Sequence, residues 1–267
     1  MRSTATDLVV DTWRRAEANE CRYLRQLTRA VEAENALFFF HDKAKIPLLN
    51  HVAHVRAERD DIPKLIKRAH DFYHRRVPFT CFHVSPMTQP SNFPSIVADQ
   101  GFQAKARRSI LLFELNDRRL QTTQGVEVVR VEEDGFDVWF NLFFASFRFA
   151  REAFGGLHEA YGSLLGKPAA ALYLACVNGH PVGTATLFSL DSVGGVYNIS
   201  AHPLLRRKGV ATALTMRALN DSHGAGNDLH CLQVMRGSQG ERLQLKLGFE
   251  TMFYDQLFIH PRSTPSR

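Results

Sequence analysis

The sequence predicts an α/β fold arranged in two domains, and three observations carry that prediction. Strand-like and helix-like stretches alternate along the whole chain. They do so in two rounds, separated by the polar stretch Asn116 to Gly125, which has no periodic apolar signal and reads as a linker. The 267 residues also exceed one small domain, whereas two domains of about 100–150 residues each would fit. The expected organisation is a first domain at 1–115, a linker at 116–125 and a second domain at 126–267.

In the first round, residues 5–35 read as helical, with Leu8, Val9, Trp13, Leu24, Leu27 and Val31 at helical spacing. A strand is expected at 36–41, a polar turn at 42–45 and a second strand through 48–55. Asp60-Asp61-Ile62-Pro63 opens a helix, with acids at its positive end and proline in its first turn. Ile62, Leu65, Ile66, Ala69 and Phe72 share one face of that helix, which ends near Arg75-Arg76. A compact strand at 78–84, a short helix at 92–99 ending at Gly101-Phe102, and a strand at 109–115 complete the round.

The second round opens with a strand at 126–131, an aromatic helix over 136–149 and a further helix around 157–165. Strands at 170–177 and 182–190 flank Asn178-Gly179, a hairpin signal because both residues tolerate positive φ. A strand at 195–201, a helix from about Gly209 to His223, a strand at 229–235, a helix at 239–247 and a last strand at 249–259 follow. In the aromatic helix, Phe136, Phe140, Phe143 and Phe147 form one stripe, which predicts core, while Phe144 and Phe149 lie off it and need other cover. Burial against the first domain is the simplest cover.

Composition narrows the function classes. A hydrophobic fraction of 45% and a charged fraction of 22% suit an ordinary globular protein. The longest apolar stretch, Pro168 to Val177, falls far short of the roughly 20 residues of a membrane span. The first residues lack the apolar core of an export signal, and the four cysteines are widely spaced without a CxxC pair. A cytoplasmic protein with reduced thiols is therefore expected. The net charge of +6 resides in residues 1–125, with 20 Lys and Arg against 14 Asp and Glu, while the remainder balances at 13 against 13. These cations are scattered among acids, which fits a solvated face better than a nucleic-acid surface. His51 and His54 would point to opposite faces of a strand, and His70 and His74 share a helix face with no further ligand set beside them. No metal site is expected.

One loop carries chemistry. Arg206-Arg207-Lys208-Gly209-Val210-Ala211 joins a strand to a helix N-terminus, where free N–H groups and a partial positive charge suit a phosphate. Gly209 admits a close approach of the backbone to an oxygen, and Ala211 stays nearly as small. Taken alone, the same residues equally describe a basic turn that caps a helix. Arg206-x-x-Gly209-x-Ala211 resembles the Arg/Gln-x-x-Gly-x-Gly/Ala signature of the GNAT superfamily of N-acetyltransferases. His202-Pro203 before it and Leu243-x-x-Lys246-Leu247-Gly248-Phe249 after it also resemble that family, in order, across about Val126 to Ile259.

The resemblance implies tandem GNAT-like domains, each a mixed, mostly antiparallel sheet flanked by helices. The first-round order, with Gly101-Phe102 parallel to Gly248-Phe249, resembles a second, degenerate copy. Where its phosphate loop should stand is Arg56-Ala57-Glu58-Arg59-Asp60-Asp61, with three acids and no glycine, so no acyl-CoA site is expected there. For the second copy the resemblance implies acetyl-CoA as acyl donor, with Arg206, Arg207, Lys208, Gly209, Val210, Ala211 and Thr212 around its pyrophosphate and Ile199 and Ala201 along its pantetheine arm. It implies transfer to the primary amine of a small acceptor, next to the aromatic helix, and leaves a homodimer open.

The chain departs from the family where a tyrosine usually protonates the thiolate. Gln244 stands there, and Gly237 stands where an asparagine is often found. Gln244 cannot act as an acid, so Ser238 or Tyr254 are the candidate substitutes. His202 is the candidate base, since it titrates nearest neutral pH, and Asn198 and Ser200 share its strand's face by alternation. The alternatives are a non-catalytic CoA-binding protein, or an acyltransferase using another acyl-CoA or a hydroxyl acceptor.

Overall fold

The computed structural model of the protein describes residues 5–114, 123–202 and 208–261. The opening apolar run forms α1 (Ala5–Leu27), which stops before its periodicity does. Thr28 turns its hydroxyl back onto the Leu24 carbonyl at 2.7 Å, and Arg29–Ala33 leaves as strand β1, paired with β2 (Ala36–Phe40). The alanines and Glu32 of β1 favour helix by under about 1 kcal/mol each, and pairing with the fully buried β2 outweighs that preference. The strand expected at 48–55 is also shorter. Pro47–Leu49 makes one 3-10 turn, and only His51–Ala53 extends as β3.

Helix α2 (Ile62–Tyr73), strand β4 (Phe79–Val84) and helix α3 (Phe93–Asp99) fall where the patterns put them. Strand β5 (Gln103–Phe113) begins well before its apolar part, because Gln103–Arg107 are exposed and show no alternation. The second half runs β6 (Glu127–Arg130), α4 (Phe136–Phe147), α5 (Phe154–Gly162), β7 (Ala170–Val177), β8 (His180–Leu190) and β9 (Val193–Ala201). It continues through α6 (Val210–Gly224), β10 (Leu229–Met235), α7 (Gln239–Lys246) and β11 (Glu250–Pro261). Asn178 and Gly179 take φ of 52° and 75°, as the hairpin between β7 and β8 requires.

The strands form one continuous sheet in the order β1-β2-β3-β4-β11-β5-β10-β9-β8-β7-β6. Only β3–β4 and β9–β10 are parallel; every other neighbouring pair is antiparallel. Read from either side of the β5–β11 pair, the order repeats, with β1 to β4 matching β7 to β10. The last strand of each half is therefore exchanged: β11 lies against β4, and β5 lies against β10. Each half's sheet is completed by a strand from the other.

Helices cover both faces. Alternation along β7 shows this directly: Leu172 and Leu174 pack with α1, α4 and α5, while Tyr173 and Ala175 pack with α6. Along β2, Leu37 and Phe39 join the first cluster, and Phe38 faces α2. Phe136, Trp139, Phe140 and Phe143 of α4 are buried in a core shared with Tyr23 and Leu24 of α1, and Phe144 and Phe149 pack against it. Phe147 departs from the expected stripe. It is 44% exposed, because the helix ends there and Arg148 turns into the left-handed region at φ 55°. Among the described residues no helix is long and apolar enough to cross a membrane.

Candidate functional site

Strands β9 and β10 begin as a parallel pair and then separate. Their ladder runs from Val193↔Leu229 to Val196↔Leu232, although the strands continue to Ala201 and Met235. The cause lies in β9. Thr184 faces Ser200 and Thr186 faces Tyr197 across β8, so Ala185 opposes two residues, Asn198 and Ile199. This is a β-bulge, with Asn198 in the left-handed region at φ 55°, and it bends β9 away from β10. Asn198 and Ser200 do share a face. Asn198 Nδ2 donates to Thr186 Oγ1 at 3.0 Å, and Ser200 Oγ lies 2.8 Å from Thr184 Oγ1. Ile199 and Ala201 pack toward α6.

The strand leads into the N-terminus of α6. Gly209 is the residue before the helix, at φ 78°, and its carbonyl accepts the Ala213 N–H at 2.8 Å. The N–H groups of Val210, Ala211 and Thr212 precede that first intrahelical donor, as at any helix start. A Cβ on Gly209 would run into the Thr123 methyl, and the left-handed φ independently favours glycine. Lys208 is exposed beside them, while Arg206 and Arg207 lie outside the described residues. A bulged strand edge and a glycine-capped helix N-terminus thus stand in one short run of chain. That arrangement suits an anion carrying an extended, amide-bearing arm.

The acid and base candidates are distributed around this fork. His202 is exposed at the end of β9, its N–H donating to the Val182 carbonyl at 2.7 Å. Ser238 caps α7, accepting the Glu241 N–H at 3.1 Å, while Glu241 reaches back to the Gly237 N–H at 2.6 Å. Tyr254 is 38% exposed on β11, with the Arg107 and Arg236 guanidinium groups 4.9 and 4.4 Å from its ring centre. Gln244 is buried between α7 and α6. The Thr215 hydroxyl donates to the Ala211 carbonyl at 2.9 Å, so it must accept from Gln244 Nε2, 3.1 Å away. That fixes the amide orientation and leaves Gln244 Oε1 buried without a partner among the described residues.

Two buried polar groups escaped sequence reasoning. Tyr23 of α1 and Tyr161 of α5 converge on Asn198, at 2.7 and 3.4 Å. At the centre of the sheet, Arg108 of β5 binds Asp255 of β11 and Glu20 of α1, with His83 of β4 2.8 Å from the same aspartate. Burial alone would raise the Asp255 pKa, but Arg108 and His83 hold it below the ordinary carboxylate range. Burial, then the adjacent His83, push His51 down to about 3, so that ring is neutral near pH 7. Glu20, His83 and Asp255 are close enough to hold a metal ion, yet the Arg108 guanidinium already occupies the cluster as its cation. The signal for this group was His83 and Asp255 interrupting apolar strand patterns and Arg108 bordering one. Nothing local says that the three meet.

The acetyltransferase (GNAT) family model matches residues 136–241. Among solved structures, a GCN5-related N-acetyltransferase from Kribbella flavida aligns over 94% of this chain and 95% of its own, at 18% identity and a TM-score of 0.74. A GCN5-related N-acetyltransferase from Sphaerobacter thermophilus aligns over 88% and 83%, at 12% identity and a TM-score of 0.66. A tandem GNAT protein from the clavulanic acid biosynthesis pathway aligns over 81% and 76%, at 13% identity and a TM-score of 0.55. At such identities these structures show the fold, and they extend it over both halves. No curated protein matches the sequence.

Proposed function

We propose that this chain, whose residues 136–241 match the GNAT acetyltransferase family model, is a GNAT enzyme that transfers an acetyl group from acetyl-CoA to the primary amine of a small acceptor. The observation that carries the reading is the succession of the β9 bulge and the left-handed Gly209 at the start of α6. In this reading the backbone from Arg207 to Thr212 holds the pyrophosphate, with Arg206, Arg207 and Lys208 adding charge. Ile199 and Ala201 offer the pantetheine arm the strand edge that β9 turns away from β10, with the acyl carbonyl beside the Ile199 N–H. We take residues 1–115 as a GNAT-like domain without an acyl-CoA site, 116–125 as the linker and 126–267 as the catalytic domain, in a cytoplasmic protein.

Acetyl-CoA supplies an activated thioester. The amine nitrogen attacks the acyl carbon, the C–N bond forms, and the C–S bond breaks with its electron pair leaving on sulfur. The protein's part is to align the two groups and to offer backbone N–H to the charge that develops on the carbonyl oxygen. His202 is exposed and receives the ammonium proton through water. Gln244 already donates to Thr215 and can transfer no proton, so Ser238, Tyr254 or solvent returns one to sulfur. The buried Gln244 also motivates a second reading, a CoA-binding protein without turnover, or an enzyme for another acyl-CoA or a hydroxyl acceptor.

The test has two arms. Calorimetry with CoA should show binding to the native chain, lost on Gly209→Glu by at least about 100-fold through steric block and like charge. Unchanged affinity in the folded variant removes the site assignment. Free-thiol release from acetyl-CoA with a panel of amines, amino acids and aminoglycosides then separates the readings. Turnover supports the transferase, and binding without turnover on any acceptor supports the second reading.

A further inference from the structure

The bulge that opens the fork is not held by the C-terminal half alone. Asn198 is a non-glycine residue in the left-handed region, a conformation that persists where the surroundings over-determine it. Its amide makes three hydrogen bonds. Nδ2 donates to Tyr23 Oη at 2.7 Å and to Thr186 Oγ1 at 3.0 Å, and Oδ1 accepts from Tyr161 Oη at 3.4 Å. Tyr23 belongs to α1, far back in the N-terminal half, and is 4% exposed. Its ring stacks on Tyr197, the residue before Asn198, with centroids 4.1 Å apart and planes 14° apart. One helix position therefore grips both residues on the strand side of the bulge.

The approach of α1 to β9 is itself built into the sequence. A Cβ on Gly195 would collide with Asn19 Oδ1 and with the Tyr197 ring, so glycine there lets the helix settle. Asn19 then accepts the Tyr197 hydroxyl at 2.7 Å and donates to the Val193 carbonyl at 3.0 Å. On the other side, the Asn198 carbonyl accepts the Thr184 hydroxyl of β8 at 3.0 Å. In a trans peptide the next N–H points the opposite way, which turns the Ile199 N–H away from β8 and toward the fork. The orientation of that N–H depends on the torsions of Asn198, and those torsions depend on Tyr23.

We infer that Tyr23 and Asn198 are positioning residues for acyl transfer, through which the N-terminal half sets the backbone donor at Ile199. The inference rests on the acyl-CoA reading given above. It assigns α1 a role in the reaction that is separate from its role in the core.

The test uses the full chain with Tyr23→Phe and Asn198→Gly. The first keeps the stacked ring and removes only the hydroxyl; the second keeps access to positive φ and removes only the amide. Thiol release from acetyl-CoA, to water or to whichever amine the panel identifies, should fall about tenfold in kcat for each variant, less than the hundredfold of losing a donor outright. The CoA dissociation constant should stay within about twofold of native, a split that a merely structural defect does not produce. The double variant should lose little more than either single one, because both act on the same peptide. Unchanged kcat in both variants, or kcat and CoA affinity falling together, overturns the inference. Failure of the native chain to bind CoA instead sinks the underlying reading, so the two failures are distinguishable.

Discussion

His54 and Asn198 occupy the same topological place in the two halves. Each follows by two residues the last parallel pair with the neighbouring strand, Val52↔Phe82 in one half and Val196↔Leu232 in the other. Each takes a left-handed turn, at φ 52° and 55°. Beyond that point the halves differ. In the N-terminal half the segment between β4 and α3, residues 85–92, folds back into the fork. Gln89 donates its N–H to the Val55 carbonyl at 2.9 Å and accepts the Ala57 N–H at 3.2 Å. Val55 and Ala57 correspond to Ile199 and Ala201. In the C-terminal half only residues 236–238 join β10 to α7, and they turn directly into the Ser238 cap.

On the acyl-CoA reading proposed above, the difference explains why only the C-terminal half would take the ligand. Asp60 and Asp61, with no glycine beside them, would oppose a phosphate at the start of α2. The Gln89 segment covers the strand edge, because the chain itself takes the hydrogen bonds of the Val55 carbonyl and the Ala57 N–H. Both halves place a left-handed residue at this point, so that turn alone does not distinguish them; the length of the following loop does.

The largest effect is expected where the comparison stops applying, at the centre the halves share. Arg108→Ala leaves Asp255 and Glu20 buried without their cation, a loss of about 3–5 kcal/mol. Because β5 and β11 are exchanged, calorimetry should show one transition that moves as a whole. Two transitions, with only one displaced, would break the picture of interdependent halves. The pH dependence has a definite sign. A carboxylate held below its unfolded value contributes stability above roughly pH 4 and loses it as pH falls through the folded value. Without Arg108 the Asp255 pKa rises, so acid unfolding should begin at higher pH than in the native chain.

Much of this architecture is legible in the sequence, and what is not has a common cause. Asn178-Gly179, the acids before α2 and Gly209 before α6 are local signals, and each stands where its backbone torsion or charge acts. Strand β1 was hidden by alanine and glutamate, whose helical preference yields to pairing with β2. The bulge at Asn198 leaves no mark, because Tyr-Asn-Ile-Ser alternates like any strand. The exchange of β5 and β11, the Gln89 closure and the contact of Tyr23 with Asn198 all join residues distant in the chain. A local pattern specifies an element and its buried face; it does not name the partner.

A smaller effect is expected at Gln244, where the C-terminal half departs from the family pattern it resembles. Gln244→Tyr supplies a phenol that the native position lacks, though the ring must fit a site that is 3% exposed. If sulfur is protonated without a protein acid, kcat should rise or hold, changing by at most about tenfold, or 1.4 kcal/mol. A general acid contributes about a hundredfold or more. Ser238→Ala or Tyr254→Phe alone lowering kcat on that scale, at constant CoA affinity, would identify the acid and end the acid-free account.

The smallest effect is a predicted null, and it tests the comparison most directly. Arg59 stands in the segment that replaces the phosphate loop, next to Asp60 and Asp61 in a 3-10 turn that leads into α2. If that segment were a second pyrophosphate site, Arg59 would supply its charge, and Arg59→Ala would weaken CoA by more than about tenfold, or 1.4 kcal/mol. The structure argues otherwise on two counts that act independently. The acids oppose an anion at the helix end, and the Gln89 backbone occupies the strand edge through two hydrogen bonds. Expelling that backbone would expose buried groups, among them Val55 at 0% exposure and Thr88 at 7%. Titration calorimetry should therefore give one CoA per chain, with the same affinity in Arg59→Ala as in the native protein. A stoichiometry of two would mean that the Gln89 segment opens in solution, and that loop length does not decide which fork is filled.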